Sequence, residues 1–222
     1  MFSVGSIEDD NYLVLLPSHR CTVLSSAVLN GGLTEANSFL NLKVGKQTPP
    51  PWLPPEETLQ CKATELLLPP NTIGMMTAAS MASLGYSKQM TDTLTVECWV
   101  TSGLSNTRRV GDIADETPVA GTINILLAIH QPLTPAALVE AMMLLTEAKV
   151  TVIRDLGIVS PISTLPASGT GTDSHAVFCP VQPATYSYCG KHTKLGELIG
   201  KSVIEACQLS LEHSLSWSPS FV

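Results

Sequence analysis

The run TSGLSNTRRVGDIADETPVAGTIN, from Thr101 to Asn124, gathers hydroxyls, two side-chain amides, two arginines and several carboxylates around glycines. It lies between two apolar runs that read as strands. A loop between strands has no packing need for that mixture. Polar groups gathered where strands present a loop suit a binding or catalytic site. Asn106 can donate to a carbonyl oxygen. Arg109 can bind a carboxylate or an amide oxygen, or pair with Asp112 and simply hold the loop closed.

Three further clusters carry chemistry. In Gly121-Thr122-Ile123-Asn124, a side-chain amide on the non-core face of a strand can recognise another amide or satisfy a loop backbone. In Gly169-Thr170-Gly171-Thr172-Asp173-Ser174, alternating glycines let backbone N–H groups converge on an anion or an oxyanion, and Asp173 could act as a base. Phosphate cradling is the alternative use of that turn. Glu147 and Lys149 lie along a long helical pattern. Lys149 interrupts its apolar stripe, which suggests a buried ion pair or a site contact, whereas on an exposed face both would be ordinary solvated charges.

Familiar nucleophile motifs are missing: there is no GxSxG, HExxH or P-loop. The five histidines (19, 130, 175, 192 and 213) are isolated and read as surface or satisfied structural residues. The six cysteines are scattered without a CxxC and read as reduced, mostly buried thiols. No two sit at zinc-ligand spacing, so no metal site is expected.

The elements that must position these residues follow from periodicity. Residues 12–16 and 21–28 read as strands of an antiparallel hairpin, the second leading through Ser25 and Ser26 to Asn30-Gly31-Gly32. Residues 34–44 read as a short helix. Five prolines between Pro49 and Pro55 mark an extended surface loop at 48–55. Glu56 and Glu57 start a helix to about residue 67, which Pro69-Pro70 stops. A strand at 72–76 leads past Thr77 into a helix over 78–90. Residues 95–101 alternate as a strand, and 122–129 repeat the pattern, with Ile123, Ile125, Leu127 and Ile129 on one face and Asn124 on the other. Thr134-Pro135 caps and starts the clearest helix, with Leu138, Met142, Leu145, Val152 and Leu156 on its apolar face and Gly157 as its stop. A separate strand at 150–153 is the alternative there. Residues 173–179 form another strand, Thr193 caps a last helix carrying Leu195, Leu198, Ile199, Val203 and Ala206, and the tail 214–222 is loose.

A Gly-Thr turn, a strand and a Thr-capped helix occur at 121–148 and again at 169–210, which suggests internal pseudo-symmetry. The expected class is α+β: a mixed, largely antiparallel sheet core packed against long helices, in one domain over 1–222.

Composition narrows the function. The chain has 222 residues, 44% of them hydrophobic, 14% charged, with net charge −7. An acidic, charge-poor surface argues against nucleic acid or an anionic membrane as the main partner and tolerates a cationic or neutral ligand. The apolar runs are far shorter than the roughly 20 residues of a spanning helix. Glu8, Asp9 and Asp10 near the start do not suit a secretory signal, so a cytoplasmic location is expected.

The motifs LSSAVLNGGL, GMMTAAS, TSGLSNTRRVGD, GTINI, TEAKV with DLGI, GTGTD and TKLGELIG follow one another in this order. In that order the chain resembles the adenosylcobinamide amidohydrolase (CbiZ-type) family from about residue 25 to 207. Each motif is weak alone; seven in order are specific. The resemblance implies corrinoid salvage or remodelling, by hydrolysis of the amide that joins the aminopropanol arm to the corrin ring. The products would be adenosylcobyric acid and 1-amino-2-propanol. It implies a corrinoid as the small-molecule partner, with its cobalt belonging to the substrate and no separate cofactor; a homo-oligomer is compatible with it.

Matched positions then give the candidate site. Asn106, Arg109, Asp112, Asn124, Glu147, Lys149, Thr172 and Asp173 are the expected catalytic set. Ser25, Ser26, Asn30, Gly31, Thr77, Thr122, Thr170 and Glu197 are the expected substrate contacts. Asp173 or Glu147 would activate water or a threonine hydroxyl. Asn106, Asn124 or the Gly-Thr turn would hold the oxyanion, and Lys149 or Arg109 would add positive charge. Ser80, where the family is expected to carry aspartate, and Thr107, where a small apolar residue is expected, depart from the pattern, and the proline-rich segment looks local to this chain. A corrinoid-binding protein without hydrolysis, and an amidase for an unrelated small amide, are the competing readings.

Overall fold

The computed structural model describes residues 2–45, 53–114, 116 and 120–216. In chain order the strands are β1 (Val4–Asp9), β2 (Tyr12–Pro17), β3 (Cys21–Ser25), β4 (Gly32–Ala36), β5 (Phe39–Lys43), β6 (Ile73–Thr77), β7 (Gly85–Met90), β8 (Thr95–Ser102), β9 (Thr107–Arg108), β10 (Ile123–Ile129), β11 (Gly169–Thr170) and β12 (Ser174–Pro180). The helices are α1 (Pro55–Glu65), α2 (Pro135–Asp155) and α3 (Lys194–Ser216).

These elements make four layers. A six-stranded sheet runs β4-β3-β12-β10-β8-β7, and a four-stranded sheet runs β1-β2-β5-β6. Only β5–β6 and β10–β12 are parallel among the strand pairings described. On one face of the larger sheet, Ile123, Ile125, Leu127, Ile129 and Val177 pack against Leu138 and Leu145 of α2 and Val203 of α3. On the other face, Trp99, Leu126 and Phe178 meet Leu13, Leu15, Phe39 and Met75 of the smaller sheet. Phe39 and Phe178 stack with ring centroids 3.9 Å apart. Leu59 and Ala63 of α1 cover Leu40 and Leu42 on the outside of the smaller sheet. The α+β class with a largely antiparallel core is therefore the observed architecture.

Several boundaries follow the sequence closely. Thr134 caps α2 by accepting from the Ala137 N–H, and Gly157 follows the helix with φ of 68°. Residues 150–153 are helical, so the separate strand does not form. Thr193 accepts from the Gly196 N–H at the start of α3. The helix reaches Ser216, so the part of the tail taken as loose at 214–216 is ordered, and 217–222 lie outside the described residues. Most of the proline-rich loop also lies outside them; Pro55, its last residue, begins α1.

Three expectations are corrected. Residues 34–44 are not a helix but parts of β4 and β5. Phe39 and Asn41 face the larger sheet while Leu40 and Leu42 face α1, so both faces are buried and the period of two disappears from the hydropathy. Residues 78–90 form a short 3-10 turn at Met81–Ser83 and then β7. The strands near 12–16 and 21–28 do not pair with each other: β2 belongs to the smaller sheet and β3 to the larger, so the PSHR turn crosses between layers. The two units behind the suggested pseudo-symmetry, β10–α2 and β12–α3, have adjacent parallel strands, which does not by itself establish an internal symmetry.

Candidate active site

The parallel pair β10 and β12 begins side by side, with Asn124 opposite Ser174. Each strand is entered through a Gly-Thr turn, and the turns clasp each other. Thr122 Oγ1 donates to the Thr172 carbonyl at 2.7 Å, and Thr172 Oγ1 donates to the Gly121 carbonyl at 2.8 Å. The second turn is also tied to β9: Gly169 and Thr170 pair with Arg108 and Thr107, and the Gly171 N–H donates to the Asn106 carbonyl. This join carries the long polar loop back onto the GTGTD segment.

At the centre sits Asp173. Its Oδ1 accepts from the Ile123 N–H and the Thr170 N–H, each at 3.1 Å, and from Thr170 Oγ1 at 2.5 Å. Its Oδ2 pairs with Lys149 Nζ, which reaches in from α2, and the two side chains are only 6% and 11% exposed for Lys149 and Asp173. Breaking such a pair by removing one partner leaves an uncompensated buried charge and costs about 3–5 kcal/mol. Gly169 makes the pair sterically feasible, because a Cβ there would overlap Asp173 Oδ2 and crowd Lys149 Nζ. Gly171 does the same for the Asn106 side chain, whose Nδ2 would lie 2.8 Å from a Cβ at that position.

His175 lies behind the pair, with Nε2 at 3.4 Å from Lys149 Nζ and Nδ1 buried without a partner among the described residues. Burial, with the Lys149 charge beside it, lowers its pKa to about 4, so it is neutral at pH 7. Its backbone is pinned by Ser25 Oγ and Ser26: the His175 carbonyl accepts from both Ser25 Oγ and the Ser26 N–H, and its N–H donates to Ser26 Oγ.

A cleft of about 480 Å³ opens in front of these turns. Ser26, Thr77, Thr122, Thr172, Asp173 and Ser174 supply its polar lining, and Val28, Val44, Pro55, Met76, Ala78 and Ala120 its apolar one. Among the described residues that line it, Asp173 is the only ionisable one, and Lys149 opposes its charge from behind. That size and that mixture of apolar wall and convergent polar groups are typical of a small-molecule site.

The expected site residues separate into three groups. Ser26, Thr77, Thr122, Thr172 and Asp173 line the cleft, and Lys149, Thr170, Asn106 and Ser25 stand directly behind it. Asn124 is close but occupied: Nδ2 donates to Asn41 Oδ1 and to the Met76 carbonyl, and Oδ1 accepts from Thr122. Both of its N–H donors are spent bridging the sheets, so none is left for an oxyanion. The remaining six hold structure. The Arg109 guanidinium donates to the Pro166 carbonyl, while the Asp112 carboxylate accepts from the Arg109 N–H and Ser160 Oγ; the loop is clasped, but not by an Arg109–Asp112 side-chain pair. Asn30 donates to the Pro70 and Thr72 carbonyls, and Gly31 packs on the Ala27 carbonyl. Glu147 pairs with exposed Lys191, and Glu197 with Lys194 and Lys201. Two residues on from Glu147, Lys149 faces a different side of the same helix.

The departures from the family pattern also have local roles: Ser80 caps the 3-10 turn and Thr107 Oγ1 donates to the Val159 carbonyl. Sequence reasoning missed Asn41, gave Ser174 no role beyond closing the Gly-Thr-Asp cluster, and read His175 as structural. A lone Asn inside FLNLK and a lone His inside the apolar run of β12 were the signals available.

Comparison with known proteins decides the family. The adenosylcobinamide amidohydrolase family model matches residues 3–219. The chain belongs to that family. An adenosylcobinamide amidohydrolase of Methanosarcina mazei is 27% identical over 198 residues, covering 84% of this chain and 88% of that protein. An uncharacterized protein of Methanocaldococcus jannaschii is 35% identical over 156 residues, covering 60% of this chain, and this chain spans only 61% of its length. Among solved structures, the PH0078 protein of Pyrococcus horikoshii aligns with 97% of this chain and 84% of its own at TM-score 0.47 and 9% identity, which bears on neither fold nor activity. As a member of the adenosylcobinamide amidohydrolase family, the chain places its Gly-Thr turns, rather than the whole of its polar loop, on a cleft. No helix among its described residues is long and apolar enough to cross a membrane.

Proposed function

We propose that this protein hydrolyses the aminopropanol amide of adenosylcobinamide, giving adenosylcobyric acid and 1-amino-2-propanol, in corrinoid salvage or remodelling. Family membership supports the reaction class. The single structural observation that carries the reading is the Asp173–Lys149 pair behind paired Gly-Thr turns, with the carboxylate reaching a cleft whose other described lining residues are uncharged. An acidic protein with an apolar cleft wall accepts a large cationic macrocycle, and the hydroxyl-rich floor suits amide groups on its rim. The corrinoid's cobalt arrives as part of the substrate, and the partner is this small molecule.

Asp173 is the proposed base. A carboxylate has about four lone-pair directions. Three donors crowd Oδ1, but among the described residues Oδ2 meets only Lys149, so one direction remains for a water molecule. Water attacks the amide carbonyl carbon, Asp173 takes its proton, and that proton passes to the leaving amine as the C–N bond breaks. Asn106, whose side-chain amide has no hydrogen-bond partner among the described residues, is the proposed oxyanion donor. One base contributes about 10²–10⁴-fold and one oxyanion donor about 10²–10³-fold, so both are needed.

Incubation of the purified protein with adenosylcobinamide, followed by chromatography, tests this. Release of the two products supports it. Tight binding with intact substrate would make the protein a corrinoid binder, and neither binding nor products would point to an unrelated amide.

A further inference from the structure

We infer that Ser174 Oγ is the hydrogen-bonding contact kept for the substrate's carboxamide, an inference that rests on the amidohydrolase reading above. Ser174 opens β12, directly after Asp173, and lines the cleft. Its hydroxyl is buried and has no hydrogen-bond partner among the described residues. The neighbouring hydroxyls are engaged. Thr170 donates to Asp173, Thr172 to the Gly121 carbonyl, Thr122 to the Thr172 carbonyl and Ser25 to the His175 carbonyl. Ser26 and Thr77 each accept a backbone N–H, from His175 and Ala79, and keep their own protons; Ser174 differs from all of these in being buried with no bond in either sense among the described residues.

The register explains why Ser174 is left over. It stands opposite Asn124 and on the same strand face as Ala176, between the two sheets. Asn124 would be the natural partner, but its amide is spent on Asn41 and Met76. A buried hydroxyl with no partner destabilises a fold, and groups of this kind call for an explanation. A serine hydroxyl both donates and accepts. A carboxamide offers one carbonyl to take its proton and an N–H to give one, so it satisfies both functions at once. No described base stands within hydrogen-bond reach of this hydroxyl, so Ser174 binds and orients and does not attack.

The experiment compares wild type with Ser174→Ala for adenosylcobinamide turnover and for thermal unfolding without substrate. The variant should lose about 10–100-fold in kcat/KM. Its melting temperature without substrate should be unchanged or higher, because an unpaired polar atom has been removed. An active wild type with an equally active variant overturns the role of Ser174 and leaves the amidohydrolase reading intact. A lowered melting temperature accompanying the loss means that the hydroxyl serves the fold, and also overturns it. A wild type that does not hydrolyse the substrate overturns the reading itself, and the role of Ser174 with it.

Discussion

Asp173 and Glu97 are both largely buried carboxylates on the central sheet, set at opposite ends of β10. Asp173 bonds to Ile123, the first residue of the strand, whereas Glu97 pairs in register with Ala128 and binds His130 just past its end. Both carboxylates are well supplied with donors. Glu97 accepts from Tyr86 Oη at 2.6 Å, sits 2.7 Å from His130 Nε2, and has Lys88 at 3.7 Å. The difference lies in what surrounds them. Rings close the Glu97 end: Tyr86 lies 5.2 Å from Trp99, and Phe2 meets His130 edge-on at 4.9 Å. Glycines and threonines surround Asp173, and a cleft reaches it. Small residues therefore separate a carboxylate that can meet a ligand from one that only ties strands together.

The largest effect should come from Asp173→Asn. The variant keeps the shape of the side chain but loses the base, so turnover of adenosylcobinamide should fall about 10²–10⁴-fold. Steady-state kinetics per folded molecule would check it, because Lys149 also loses its charged partner, and turnover within a few-fold of wild type would remove Asp173 from the chemistry.

The next sharpens the same end through pH. The pKa of His175 is lowered from 6.5 to about 4, first by burial and then by Lys149. Between those values the unfolded chain binds a proton that the folded chain refuses, so stability rises with pH across that window. The contribution is complete above about pH 6.5 and is lost as pH falls toward 4. Denaturant unfolding of wild type and His175→Gln at several pH values measures it. The variant's curve should be flatter between pH 6.5 and 4, and parallel curves would refute the assignment.

Glu97→Gln breaks the comparison from the other end. Weakening the bonds to Tyr86 and His130 should cost about 1–3 kcal/mol of stability. Turnover per folded molecule should not change. If it fell as far as in Asp173→Asn, the two ends would not be functionally distinct.

The comparison also explains what the sequence could reveal. Strands β8, β10 and β12 and helices α2 and α3 were legible: the strands as runs of seven or eight largely apolar residues beside turn signals, the helices by their apolar stripes and threonine caps. β5 was not, since five residues buried on both faces cannot be told from a helix segment by periodicity, and β7 was hidden because its buried positions, Gly85 and Ser87, carry no apolar signal. The Gly-Thr turns and Asp173 were visible as chemistry because glycine, threonine and aspartate together have no packing purpose. Asn124 was visible too, but its use was not. Only the three-dimensional pairing with Asn41, from a strand that read as helix, spends its donors. Glu147 and Glu197 could not be separated from the site for a similar reason: a motif position does not disclose which side of a helix the residue faces.

Glu197 gives the smallest effect and the most direct check on that last point. Its carboxylate pairs with Lys194 and Lys201 on the outer side of α3, and the hydrogen bonds from them, Lys194 first, hold its pKa down at about 2. All three side chains are well exposed, at 38%, 57% and 60% for Glu197, Lys194 and Lys201. Exposed pairs contribute little, and salt screens them. A reason for an acid at this position exists without any ligand, because Glu197 lies in the first turn of α3, where the helix dipole favours negative charge. Glu197→Gln should therefore leave both turnover and melting temperature close to wild type, with any small shift vanishing at high salt. A clear loss of turnover at unchanged stability would mean that the substrate reaches across α3, and that the cleft before the Gly-Thr turns is only part of the site.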